Sequence, residues 1–323
     1  MIRAVPLLLL LLGLAACGTG TPDPAARLAN GSCPLIRLAE IPVAVHNNLL
    51  FVLAKIDNQP ISMLVDTGAE RTLLTEAAVD RLHLPRDTSH ATRTLGIGTP
   101  TSAYDAKLPN GIVLGGTRFP VDTITVGNFG INKVAGDTAD GLLGADILLA
   151  FDIDLDLPAQ QMTLYHARRE CPNAQPPWKQ PYVGLTGVNT RRDRILVPFE
   201  LDGVGGMAIL DTGAQLSSIS QQMTERLGLA DGDMSADRTV MARGAAPDQV
   251  AVHVHQFREF RVGPALVRSP SLPVVPMSGG MGDALIGADF LSGRRVWLSF
   301  STHRVFVTAV AHGPWIAATQ TGE

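Results

Sequence analysis

An internal repeat constrains this 323-residue chain more than any other feature. The stretch Met63-Leu64-Val65-Asp66-Thr67-Gly68-Ala69 returns, little changed, as Ala208-Ile209-Leu210-Asp211-Thr212-Gly213-Ala214, 145 positions later. Each copy is a short apolar run, the pattern of a buried strand, that breaks into a turn at Asp-Thr-Gly. The flanks repeat as well. Apolar runs at 50–56 and 61–65, joined by Asp57-Asn58-Gln59-Pro60, predict a hairpin leading into the first motif. Runs at 195–201 and 207–210, joined by Asp202-Gly203-Val204-Gly205-Gly206, predict the same before the second. Downstream, 75–84 and 221–229 have the apolar spacing of short amphipathic helices. A second shared signature follows, Asp140-Gly141-Leu142-Leu143-Gly144-Ala145-Asp146 against Asp283-Ala284-Leu285-Ile286-Gly287-Ala288-Asp289, and each copy ends in a further pair of apolar runs. A repeat of this length predicts two homologous lobes rather than a solenoid.

Asp-Thr-Gly-Ala after an apolar strand, followed by Leu142-Leu143-Gly144 in one copy and Leu285-Ile286-Gly287 in the other, resembles the retropepsin-like aspartic peptidases. The resemblance covers both copies, and the chain looks like a fused tandem of two retropepsin-sized lobes. It implies an all-β fold with a cleft between the lobes. The expected organisation is a lipoprotein signal peptide (1–16), a lipidated Cys17 with its tether (17–33), lobe 1 (34–166), a Pro-rich linker (167–194), lobe 2 (195–310) and a tail (311–323).

The chemistry implied by that family explains why the motif occurs twice. Hydrolysing a peptide bond without a covalent intermediate needs one group to take a proton from water and another to give one to the carbonyl oxygen. Two carboxylates pressed together cannot both ionise, so they share a proton and fill both roles. Asp66 and Asp211 are the expected pair, one from each lobe, titrating as a unit. Thr67 and Thr212 are expected to hydrogen-bond across the axis beneath them, and Gly68 and Gly213 to permit the tight turn that aims each carboxylate. Gly144 and Gly287 complete the fold signature. Pepsin-like enzymes usually carry a hydroxyl where this chain has Ala69 and Ala214, so a working pH from weakly acid to neutral is expected. The resemblance implies a peptide or protein substrate, no cofactor and no metal, and a monomer, since a fused pair completes its own site.

Met1-Ile2-Arg3, the apolar run 5–14 and the small-residue stretch ending at Cys17 form the pattern of a bacterial lipoprotein signal. Cys17 is the expected lipidation site. With Gly at position 18, the expected destination is the periplasmic side of the outer membrane, with contact to the bilayer through the lipid alone. Of the other cysteines, Cys33 and Cys171 flank lobe 1, and in an oxidising compartment they are either a disulfide or two free thiols. A formal net charge of -4 without a basic stripe argues against nucleic acid as a partner.

Between Asp-Thr-Gly and the later Gly the copies diverge. Gly96 and Gly98 in one lobe, and Gly244 in the other, are the candidates for flap tips over bound substrate, and Tyr104 reads as a half-buried strand residue rather than a flap aromatic. His253 and His255 share a strand face but lack an evident third ligand. Asp146 and Asp289 are expected to cap short helices, and Asp140 and Asp283 to hold turns or backbone groups. Asp152, Asp154 and Asp156 alternate along a strand and are expected on a wet face. Ser217 and Ser218 lack a His–Asp partner for serine hydrolysis. The competing expectation to a peptidase is a lipoprotein that keeps the fold as a peptide-binding or assembly module without turnover.

Overall fold

The computed structural model describes residues 35–94, 101–127, 139–166, 173–185, 188–191, 193–243, 249–277 and 282–308. The signal and tether with Cys17 and Cys33, the connector's Cys171, the flap candidates Gly96, Gly98 and Gly244, and the tail 311–323 lie outside the described residues.

Two ten-stranded sheets and one six-stranded sheet make up the fold. The two large sheets have the same strand order. In lobe 1, the hairpin Leu49–Ile56 and Gln59–Val65 lies beside Gly141–Leu143, then Leu73–Leu74, Thr123–Val126 and the long hairpin Thr101–Lys107 with Arg86–Thr94. Lobe 2 repeats this with Arg194–Leu201 and Val204–Leu210, then Ala284–Ile286, Ser218–Ser220, Ser271–Val275, Gln249–Gln256 and Arg238–Arg243. Asp57, Asn58 and Asp202 take positive φ at the hairpin turns, which short polar side chains tolerate. The helices are short: Glu76–Arg81 is capped by Thr75 and Gln221–Arg226 by Ser220, each hydroxyl accepting from the third backbone N–H beyond it.

The six-stranded sheet joins the lobes. Its order is Arg37–Pro42, Gln161–His166, Phe151–Asp156, Arg295–Ser299, Arg304–Thr308 and Tyr182–Leu185, antiparallel throughout. At its centre Asp154 faces Trp297, and Ile153 faces Leu298. Since 154 and 297 are equivalent positions of the repeat, each lobe presents the same strand to the other, a self-complementary contact like that of a two-fold dimer. Ile153, Leu155, Met162, Leu164, Val296 and Leu298 point from one face of this sheet into a core cluster that continues through both lobes.

Two expectations are corrected by this sheet. The segment 167–194 is not an exposed linker throughout: Tyr182–Leu185 pairs with Arg304–Thr308, and Asn189–Arg191 pairs with the start of Arg194–Leu201. The prolines end at Pro181, and beyond them an apolar run is free to add an edge strand, so lobe 2 begins near Tyr182. Nor is the Asp152–Asp156 face wet. Asp152 and Asp154 are both buried: Trp178 of the connector packs against Asp154, and the Ser301 hydroxyl of lobe 2 meets Asp152. The Trp178 indole donates to Asp154 Oδ2 at 2.9 Å, while Arg295 Nε and Nη2 bind the same carboxylate at 2.8 and 2.7 Å.

Candidate active site

Each Asp-Thr-Gly turn is fixed by the strand beside it. Leu142 and Leu143 run parallel to Leu64 and Val65, and the Asp66 N–H donates to Leu143 O at 3.0 Å. In lobe 2, Leu285 and Ile286 run parallel to Ile209 and Leu210, and Asp211 N–H donates to Ile286 O at 2.9 Å. The loop that follows each motif accounts for Gly144 and Gly287. A Cβ on Gly144 would stand 2.5 Å from the Arg71 carbonyl, and one on Gly287 2.7 Å from Leu216 C. The space is filled by a repeated network instead. Gly144 N–H donates to Thr72 Oγ1 at 3.0 Å, and Thr72 N–H and hydroxyl donate to Asp146 Oδ1. Gly287, Ser217 and Asp289 form the same arrangement. Asp146 and Asp289 are therefore not helix caps: Gly144 and Gly287 hold the N-cap positions, and the carboxylates brace the loop after each motif. Asp140 and Asp283 accept from Ser62 N–H and Met207 N–H, each at 2.9 Å.

Beneath the motif the lobes interlock. Thr67 N–H donates to Thr212 Oγ1 and Thr212 N–H to Thr67 Oγ1, both at 3.1 Å; the hydroxyls donate onward to Leu210 O and Val65 O, both at 2.6 Å. All four bonds cross between lobes, and both threonines are buried. Replacing Thr67 with Val would strand Leu210 O and the Thr212 N–H at once. We expect a loss of about 2–3 kcal/mol, read as a fall in Tm, with a concurrent fall in activity as the lobes lose register.

Asp66 and Asp211 meet above this crossing, each carboxyl against the glycine of the opposite lobe's motif, and each acts on the ionisation of the other. Gly68 N–H and Ala69 N–H donate to Asp66 Oδ1 at 3.0 and 2.9 Å; Gly213 and Ala214 serve Asp211 Oδ1 at 2.8 and 3.2 Å. The two glycines are needed for a different reason from the tight turn expected of them. Neither has positive φ, but a Cβ on either would lie 2.4 Å from Cγ of the opposite lobe's aspartate. Only glycine lets the carboxylates approach. Burial raises Asp66 well above the usual carboxylate range, and the neighbouring Asp211 charge raises it further. Asp211 is also raised by burial, against the opposing pull of the Gly213 N–H, Asp66, the Ala214 N–H and Arg194. Such a pair holds one proton over a range that begins above the ordinary carboxylate value.

A sequence model of the aspartyl protease family matches the chain twice, over residues 52–147 and 197–290, together more than half its length. The chain belongs to the retropepsin-like aspartyl proteases. Comparison with curated proteins finds no match. Each matched segment of this retropepsin-like protease carries one Asp-Thr-Gly and one of the two later glycines, so the tandem family match and the two-lobe geometry coincide.

The long hairpins are paired as far as Thr94 with Thr101 and Arg243 with Gln249, and the glycines proposed for their tips lie outside the described residues. Tyr104 is a half-buried strand residue whose hydroxyl accepts from Arg86 and donates to Glu76. His255 Nδ1 sits 2.7 Å from Asp237 Oδ2. Sequence reasoning missed Thr72 and weighed Ser217 only as a nucleophile, not as a brace, although a hydroxyl recurring at the repeat spacing was a usable signal. It also missed Arg194, which donates from Nε to Gly68 O at 2.7 Å and pairs with Glu70 at 3.2 Å.

Proposed function

We propose that the chain is an aspartic endopeptidase of the bacterial cell envelope, with Asp66 and Asp211 as its catalytic dyad. The observation that carries this is the meeting of two raised carboxyls, one from each lobe and each packed against the other lobe's Asp-Thr-Gly glycine, on a rigid cross-bonded base. With one proton between them, the ionised carboxylate takes a proton from water, and the other carboxyl gives its proton to the scissile carbonyl. The substrate is an extended peptide or protein segment held between the lobes. The signal-like residues 1–17 support export and lipid anchoring at Cys17, and Gly18 supports a reading in which the site faces the periplasm from the outer membrane.

A peptide library incubated with residues 18–323 tests this directly. We expect cleavage with a bell-shaped rate profile peaking from weakly acid to neutral pH. Both carboxyls are raised, so the singly protonated pair persists above the ordinary carboxylate value of about 3.9. Ala69 and Ala214 contribute only backbone N–H groups to hold the charge down. A profile peaking below about pH 3 would contradict the raised pair. Peptide binding without cleavage, equal with and without the carboxyls, would instead leave a binding or assembly module.

A further inference from the structure

The repeat is broken beside the dyad by a single charge. Leu49 and Arg194 open equivalent strands, Leu49–Ile56 and Arg194–Leu201, and stand 145 positions apart like the aspartates themselves. Leu49 is fully buried in an apolar cluster with Phe51, Leu64, Leu73 and Leu142. Arg194, its counterpart, crosses to lobe 1 and binds the carbonyl of Gly68, the residue whose Cα lies against the Asp211 carboxyl. The reverse crossing is uncharged: where lobe 1 has Glu70 for Arg194 to meet, lobe 2 has Gln215, whose amide donates to Asn47 O at 3.1 Å. Arg194 thus stands one residue from the Asp211 carboxyl, through Gly68, and pulls against the raising of Asp211, with Glu70 drawing on the far side of the guanidinium.

We propose that Arg194 is a positioning residue that makes the dyad electrically unequal, fixing the shared proton on Asp66 and leaving Asp211 as the charged carboxylate. An unbalanced cation favours the ionised form of the carboxyl it is nearer. Arg194 is nearly buried, at 11% side-chain exposure, so water screens it little. The Nε–H bond to Gly68 O also fixes the loop that carries the Asp66 Oδ1 donors. In catalysis Asp211 is then the base that activates water and Asp66 the acid that protonates the carbonyl oxygen. A dyad unequal before substrate arrives fixes one chain direction for the peptide across the two lobes.

This inference rests on the dyad reading, and its test separates the two. Arg194→Leu gives lobe 2 the residue lobe 1 already has, and Arg194→Lys keeps the charge without the guanidinium fork. Removing the cation raises Asp211, so the singly ionised dyad forms at higher pH. The acid limb of kcat/KM against pH is expected to move up by about one unit in Arg194→Leu and to stay near its wild-type position in Arg194→Lys. Carbon-13 NMR of the aspartate carboxyls, assigned with Asp66→Asn and Asp211→Asn, supplies a readout independent of turnover. The expected result is that Asp211 ionises first in the wild type, with the gap between the two sites narrowing in Arg194→Leu. An inert wild type with that NMR behaviour overturns the peptidase and keeps the unequal pair. An active wild type whose acid limb and carboxyl titrations are unmoved by Arg194→Leu overturns the role of Arg194.

Discussion

Asp66→Asn and Asp211→Asn are each expected to lower peptide hydrolysis by about 10³-fold or more while leaving the protein folded. Either amide keeps an oxygen to accept from the two backbone N–H groups that now serve Oδ1, so the turn survives. Neither keeps a carboxyl able to trade one proton for another. Stability should hold or rise near pH 7. A carboxyl raised by folding stabilises the folded chain most below its unfolded value of about 3.9, and that contribution is lost as pH rises through the higher folded value. Both carboxyls of the pair are raised, so at neutral pH the ionised dyad is a stability cost that the amide removes. Rate measurements beside thermal unfolding at pH 5 and pH 7 check both halves. A single variant that retains more than a tenth of the wild-type rate would break the two-carboxyl mechanism.

Much of this site was legible because the repeat writes the same backbone geometry twice. Asp-Thr-Gly and its later Gly are local demands of a turn and a close contact, and local demands leave residue types behind. Gly68 shows the limit of that reading. Its presence was expected, but its cause, an aspartate from a loop 145 positions away, became visible only when the lobes were placed together. The acidic strand failed in the same manner. Alternation put Asp152, Asp154 and Asp156 on one face, yet Asp154 is met there by Trp178, hidden in a proline-rich segment that read as linker, and Asp152 by Ser301 of the other lobe. Arg194, the last residue of the expected linker, went unread as part of the site for the same reason. Its partners, Gly68 and Glu70, belong to the other lobe.

Arg295→Met is the substitution expected to destabilise the fold most, by about 3 kcal/mol. Asp154 is buried at 1% side-chain exposure, in the strand that pairs the two lobes, and Arg295 meets it with two nitrogens. Removing the guanidinium takes away the counter-charge and leaves that carboxylate, among the described residues, with the Trp178 indole as its remaining donor. Loss of one partner of a buried ion pair is costly chiefly through the charge left behind, so the estimate has a built-in control. In Asp154→Asn with Arg295→Met the charge is gone and the amide oxygen still accepts from Trp178. The double variant is expected to recover much of the loss, as an upward shift in Tm relative to Arg295→Met alone. Peptidase activity at 25 °C should change little in either, because none of the groups bonded to Asp66 or Asp211 belongs to this sheet. If the double variant is as unstable as the single one, the contribution of Arg295 lies instead in the contact of its guanidinium with the Trp178 ring, whose centroid stands 5.2 Å from the guanidinium carbon.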